Sequence, residues 1–382
     1  MASEIHLFII WEKGREQEER ILSDMFSRFK ILGLYKITWP KESFSKNLTR
    51  FYGQNLPSSS QKIQHCGDGE FILVVIMDEA PLYKFRKTTK GVQEVNINIF
   101  DAKELYRFWT GGGHRIHGTN SIKEVNHDLT LLLGLNASDY LKSIDGLPRP
   151  KSVKEAKRLD RQITGYAGWE NINQMLYALN NCTNYVILRN FEGFPENLTY
   201  GEHGDIDILG DNEKQLKLVL NASKVFKSKN RVRYTTKVNG QDVYMDFRYI
   251  GDGYYDRQWE ADLLKRRILC KGLFYIPDNT DYAFSLLYHG LIHKGRIADD
   301  YIQRLKEYKV LDDIYVEGNF NHDIAVKSLK EFLKTKGYKI SEPTDLSVYY
   351  NTSAFGIKES TVHYLNRGLY TAKSRAMNKL KG

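Results

Sequence analysis

The chain has 382 residues, 41% hydrophobic and 27% charged, a balance that excludes a disordered or low-complexity protein and leaves room for two hydrophobic cores. Its formal net charge of +9 favours anionic partners: nucleotides, phosphorylated sugars, RNA or an anionic membrane surface. Three well-separated cysteines, Cys66, Cys182 and Cys270, lack C-x-x-C spacing, which argues against a disulfide scaffold or a cysteine zinc site and fits a reducing cytoplasmic setting.

In chain order, the opening apolar run Ile5 to Trp11 is a buried strand followed at once by acidic and polar residues, unlike a signal peptide. Glu16 to Phe29 has helical spacing, with Ile21, Met25 and Phe29 on one face. Ile31 to Trp39 is a second strand, Ser43 to Tyr52 a helix, and Phe71 to Met77 the strongest strand of the region. Val95 to Ile99 is a strand; Ala102 to Trp109 and His127 to Leu135 are helices. Residues 1–145 are therefore expected to form an α/β domain. Two prolines in Gly146-Leu-Pro-Arg-Pro-Lys-Ser152 mark a linker over residues 146–165, with a charged helix at Lys154 to Gln162.

The next domain, residues 166–310, reads as helix Trp169 to Leu179, strand Tyr185 to Arg189, strand Asp205 to Leu209 and helix Asn212 to Leu220. Strands Arg231 to Lys237 and Asp242 to Ile250, helix Asp256 to Cys270 and a helical run from Asp281 to His293 follow. Residues 311–382 are expected to be a small α-rich appendix with a helix from His322 to Lys336. The basic tail, Lys373, Arg375, Lys379 and Lys381, is a candidate phosphate or lipid-headgroup contact, or a solvated terminal helix. No stretch is long and apolar enough to span a bilayer.

The sharpest chemical signal is Gly204-Asp205-Ile206-Asp207-Ile208-Leu209. Residues i and i+2 of a strand share a face, so Asp205 and Asp207 project together while Ile206 and Ile208 enter the core. Adjacent carboxylates repel unless a cation lies between them, and Mg²⁺ (or Mn²⁺) suits one or two carboxylates plus phosphate oxygens. Asp246, between Met245 and Phe247 on a later strand, is the expected third acid. The three are candidate catalytic and metal-binding residues.

This order of elements, with a D-x-D strand and a third strand acid, resembles the nucleotidyltransferase superfamily. The text Tyr185-Val-Ile-Leu-Arg-Asn-Phe-Glu-Gly-Phe-Pro-Glu196, then GDIDILG, then Leu286-Leu-Tyr-His-Gly-Leu-Ile-His-Lys294, resembles an uncharacterised branch found in bacterial capsule and surface-glycan gene clusters. The resemblance covers about 140 residues and implies Mg²⁺-dependent transfer of a nucleotidyl or phosphosugar group. One departure is that Leu188-Arg189-Asn190 stands where the superfamily carries a Gly-Ser or Gly-Gly pair. That keeps open transfer of a phosphoalditol or phosphocholine group, as in the similar LicD-type phosphotransferases. Arg189 could clamp phosphate, or pair with the aspartates or Glu192. His289 and His293, one turn apart, are with Lys294 a structural pair or a substrate-binding set; the Glu of an H-E-x-x-H zinc motif is absent.

A second candidate site lies in Gly111-Gly-Gly-His114-Arg115-Ile-His117-Gly-Thr-Asn120. Glycines permit close backbone approach to an anion, and histidine titrates near neutrality. Gly112, Gly113, Arg115 and Asn120 are candidate ligand contacts, with His114 and His117 candidate acid/base groups beside Glu124, Asn126 and His127. Arg86 and Lys87, before Thr88-Thr89, are further phosphate candidates. The alternative is a plain polar turn. The GGGHR text is similar to the G-x-H-R box of ParB- and sulfiredoxin-like folds.

Together these residues point to a cytoplasmic transferase acting on a nucleotide, a nucleotide-linked sugar or another phosphorylated small molecule in surface-polysaccharide assembly. A nucleotide-sugar glycosyltransferase, an RNA-directed nucleotidyltransferase and a non-catalytic nucleotide- or RNA-binding protein are the alternatives.

Overall fold

A computed structural model describes residues 3–88, 91–198, 201, 205–226, 231–308 and 310–379, with side chains to residue 372. The chain forms two compact units, Met1–Trp169 and Glu170–Gly382, each of mixed α/β structure. Thr89, Gly204 and the side chains of the basic tail from Lys373 onward lie outside the described residues. Among those described, no helix is long and apolar enough to cross a membrane.

The first unit contains strands β1 (Glu4–Ile10), β2 (Lys30–Thr38), β3 (Phe71–Asp78), β4 (Tyr83–Thr88), β5 (Gly91–Asn96), β6 (Ile116–Gly118) and β7 (Lys157–Asp160). Its helices are α1 (Glu18–Arg28), α2 (Lys41–Tyr52), α3 (Gln61–Cys66), α4 (Ile97–Trp109), α5 (Ile122–Leu133) and α6 (Ala137–Ser143). The main sheet has the order β6-β1-β3-β2-β7. Its centre, β3, carries an unbroken apolar run with Phe71 to Ile76 fully buried, as a strand covered on both faces requires. Strands β4 and β5 form a separate hairpin. Polar caps hold the helices: Asn96, Ser121 and Asn136 each accept from backbone N–H groups in the first turn of α4, α5 and α6.

The boundary differs from the sequence expectation. Residues 146–165 are not a free linker, because β7 pairs in parallel with β2. The expected charged helix from Lys154 is replaced by a short 3₁₀ turn and this strand. An edge strand buries little, so Lys-Arg-Leu-Asp shows no apolar alternation; its backbone hydrogen bonds fix it instead. Just beyond, the Gln162 side-chain oxygen accepts from Ser43 Oγ at 2.9 Å and Asn47 Nδ2 at 2.6 Å, tying the segment to α2.

The second unit begins with α7 (Ile172–Cys182), β8 (Tyr185–Ile187), β9 (Asp205–Gly210), α8 (Glu213–Val219) and β10 (Ser223–Lys224). Then come β11 (Arg233–Val238), β12 (Gln241–Tyr249), α9 (Arg257–Arg266), β13 (Ile268–Cys270), β14 (Phe274–Ile276) and α10 (Asn279–Tyr288). Helix α9 stops short of Cys270, because residues 268–270 ladder with β14. The sheet runs β10-β11-β12-β9-β8, with β9 and β12 parallel and the other pairs antiparallel. Ile206, Ile208, Met245 and Phe247 are buried on its core side.

After α10 the backbone makes one π-helical turn, His289–Lys294, and continues into α11 (Asp299–Glu307), the short hairpin β15 (Tyr315–Val316) and β16 (Asn319–Phe320), α12 (His322–Lys336) and α13 (Thr361–Lys379). Residues 311–382 belong to the second unit and are no separate appendix. Phe332 of α12 stacks on Phe284 of α10 with ring centroids 3.9 Å apart, and Tyr338 stacks on Trp259 of α9 at 5.5 Å. Phe332→Ala is expected to destabilise this unit by about 3–5 kcal/mol. Urea denaturation followed by near-ultraviolet circular dichroism checks this; an unchanged midpoint would show that α12 adds no packing.

Candidate functional site

The parallel register of β9 and β12 sets Asp207 directly beside Asp246, and the antiparallel register of β11 sets Arg233 beside Asp246 on its other side. Asp205 lies two residues before Asp207 on the same strand face, as its period requires. The three expected acids are thus neighbours across two strands. Each of the first two is paired with a guanidinium: Arg189 Nη2 donates to Asp207 Oδ1 at 2.8 Å, and Arg233 Nη2 to Asp205 Oδ1 at 2.9 Å.

Crowding shows in the electrostatics. Burial pushes the Asp246 carboxyl up to about 6, and the negative charges of Asp207 and Asp205 push the same way against Arg248. Burial raises Asp205 as well, with Arg233 opposing and Asp207 adding. Among the described residues, no three His, Cys, Asp or Glu side chains are grouped to hold a metal ion. Arginines occupy Asp205 and Asp207, so as placed these residues do not fit Mg²⁺ or Mn²⁺, and no step is derived through one.

Beside the acids lies a cavity of about 290 Å³. Its wall carries Arg189, Arg231, Arg233, Arg248 and Lys294 against two carboxylates, Asp246 and Asp345. Arg248 is two residues after Asp246 on β12 and shares its face. It is buried over the Tyr254 ring at 4.2 Å, with Nη2 3.5 Å from Asp345 Oδ2. Its Nε has no hydrogen-bond partner among the described residues.

His289 and His293 also line this cavity, brought there by the π-helical turn. Such turns are frequent at functional sites. His289 Nδ1 shares a hydrogen bond of 2.7 Å with Tyr254 Oη. Both His293 ring nitrogens lack a partner among the described residues. Burial holds both rings well below the usual histidine range, and Arg189 and Arg248 add to this, so they are neutral. Neutral rings offer a phosphate a donor without further charge. Arg189, His289, His293 and Lys294, four separate sequence candidates, therefore meet in one place.

The Leu188-Arg189-Asn190 segment takes a turn that glycine would ordinarily provide. Asn190 has φ +61°, a left-handed conformation that Asn tolerates better than most side chains. Its Oδ1 accepts from Arg304 Nη1 at 2.8 Å.

In the first unit, a second cavity of about 430 Å³ opens over the edge strand β6. His114, His117, Asn120 and Glu124 line it, as do Lys87 and Thr88 from the β4–β5 hairpin. The other candidate residues of this segment lie away from the cavity. Gly111, Gly112 and Gly113 adopt φ of +80°, +83° and +74°, a turn folded on itself. Arg115 Nη1 donates back to the Gly112 carbonyl at 2.8 Å, so neither Arg115 nor Gly112 faces the cavity. Gly113 also lies off it, against His65, whose Nδ1 would sit 2.5 Å from an added Cβ. Asn126 instead accepts from the Ala137 backbone at 3.0 Å.

Sequence reasoning missed Arg231, Arg233, Arg248 and Asp345. Strand alternation could have found Arg248 from Asp246, and Arg231 with Arg233 as an i, i+2 pair. Asp345 follows only from how residues 311–382 pack.

The raised Asp246 carboxyl has a stability consequence. Between its ordinary value of 3.8 and about 6, the folded state holds a proton that the unfolded state has lost, so stability falls as pH rises through that window. Asp246→Asn should remove this penalty and stabilise the chain at pH 7 by up to about 3 kcal/mol, with a flatter Tm-against-pH profile between pH 4 and 6. An unchanged profile would mean that Asp246 ionises without strain.

Comparison with protein-family models and with curated proteins gives no match to this chain.

Proposed function

We propose that the second unit is a nucleotidyl- or phosphosugar-transferase domain whose cavity binds the phosphate groups of a nucleotide or nucleotide-linked sugar. The observation that carries this reading is the cavity wall: five guanidinium or ammonium groups against two carboxylates, one of which, Asp246, is pushed up to about 6. A wall of that charge suits a polyanion, and arginine's planar fork matches phosphate oxygens. The resemblance to glycan-cluster nucleotidyltransferases adds surface-polysaccharide assembly as the setting.

The chain's own residues divide the work as follows. Arg231, Arg248 and Lys294 hold the phosphates and stabilise charge on the leaving group. Asp246, poised near pH 6, takes the proton of an acceptor hydroxyl. The hydroxyl oxygen forms the new bond to phosphorus, and the bond from phosphorus to the bridging oxygen breaks, leaving its electron pair on the oxygen of the departing phosphate.

The test is a binding and thermal-shift panel of nucleoside triphosphates and UDP- or CDP-linked sugars, with and without Mg²⁺ or Mn²⁺. Lys294→Met and Arg231→Met should each weaken the ligand found by about 10–100-fold, the worth of one charged hydrogen bond. Wild-type affinity in both would overturn the phosphate assignment.

A further inference from the structure

The cavity of the first unit stands apart from the chemistry assigned above. Its wall is assembled from the ends of several elements: Tyr52 closing α2, Lys62 on α3, Lys87 on the β4–β5 hairpin, Lys103 and Arg107 on α4, and His117 on β6. Such assembly from distant segments is costly to maintain for a surface dimple. The cations outnumber the wall's carboxylates, Glu104 and Glu124. Both carboxylates are engaged: Glu104 Oε1 accepts from Arg107 Nη1 at 2.9 Å, and Glu124 Oε2 accepts from the Asn120 backbone N–H at 2.8 Å.

His117 is held by a buried carboxylate as well as by packing. Its Nε2 lies 2.7 Å from Asp128 Oδ2, and the other oxygen of Asp128 lies 2.8 Å from His127 Nδ1. Asp128 is buried. Burial would push its carboxyl up, but His117 and His127 outweigh that and keep it below its ordinary range. An ionised Asp128 fixes the proton of His117 on Nε2 and orients the ring, which also meets Phe51 and Tyr52 edge-on at 5.3 and 5.6 Å. That leaves Nδ1 as the ring's other polar atom for a ligand in the cavity. His114, on the same wall, is lowered to about 4 by burial and by Lys62, Arg107 and His65, and stays neutral.

We infer that this cavity is a second, independent binding site for a phosphate monoester, in which Lys62 and Lys87 meet the phosphoryl oxygens and His117, with its proton on Nε2, accepts at Nδ1 from the phosphate P–O–H. The two lysines come from separate elements, α3 and the β4–β5 hairpin, and bring two ammonium groups to one wall, which suits an anionic phosphoryl group.

The full-length chain, labelled with ¹³C at histidine Cε1, tests this by NMR at fixed pH. Inorganic phosphate is the probe, titrated at constant ionic strength against chloride. The His117 signal is assigned with His117→Gln, whose fold is checked by the remaining histidine signals. His117 is expected to shift saturably with phosphate and not with chloride. Lys62→Met/Lys87→Met, at partly exposed and exposed positions, should weaken that response about 10-fold or more. Lys294→Met, which tests the other cavity, should leave it unchanged, so the two readings fail separately. No saturable response at His117, or an undiminished one in the double lysine variant, would overturn the inference.

Discussion

The second unit turns on one register: β9 and β12 run in parallel with Asp207 beside Asp246. Two carboxylates on adjacent strands of a part-buried sheet face are unfavourable by themselves, since desolvation and mutual repulsion act together. The surrounding architecture answers that constraint. Arg189 reaches Asp207 from the end of β8, and Arg233 reaches Asp205 from β11. Arg248 follows Asp246 on its own strand. Asp246 is left with the weakest compensation and carries the raised carboxyl. Charge of both signs is thus forced onto one face of the sheet's inner strands, beside the cationic cavity.

The price of so many buried charges is conditional stability. Arg248 has few options: Asp252 Oδ2 is 3.9 Å away and Asp345 Oδ2 is 3.5 Å away, both longer than a good hydrogen bond. A guanidinium held by distant partners retains capacity for a closer anion. Buried ion pairs are poor sources of stability but good sources of geometry. Aromatic packing therefore has to hold the frame. Tyr254 and Tyr255, both buried, lie 4.9 Å apart at the ring centroids, and Tyr255 contacts Trp259 at the same separation. The abundance of tyrosine, 25 residues, serves this position well, because an apolar body can pack while the hydroxyl meets a histidine or a carboxylate.

Much of the second unit was legible because strand periodicity and strand order carry chemical information together. Alternation in Asp205-Ile-Asp207 separated core from site, and the later Met245-Asp246-Phe247 repeated it. Helix α12 matches its expected limits, 322–336, because its apolar spacing is bounded by Asn321 at one end and Gly337 at the other. The arginines were not legible as a set, since a basic residue on a polar strand face is ordinarily a solvated one. Strand β7 was invisible for a related reason: an edge strand is defined by backbone pairing, which leaves no apolar signature. In the first unit, histidine density fell on a segment of which His114, His117 and Asn120 line the cavity while Gly112, Gly113 and Arg115 do not. Glycines with positive φ, read as an anion nest, serve a turn that Arg115 closes upon itself.

That contrast separates two kinds of sequence signal. Asp205, Asp207 and Asp246 are informative because side-chain direction on a strand follows from position alone. The direction of Arg115 does not, since a three-glycine turn can point its neighbours anywhere. His117 escapes the ambiguity because β6 pairs it with Ile9 of β1, fixing the backbone, while Asp128 of α5 fixes the ring. In both units, then, the residues with a definable chemical role are those whose backbone is held by a ladder and whose side chain is held by a buried partner. Asp207, held by Arg189, and His117, held by Asp128, meet both conditions. Function is best assigned where the fold removes freedom twice.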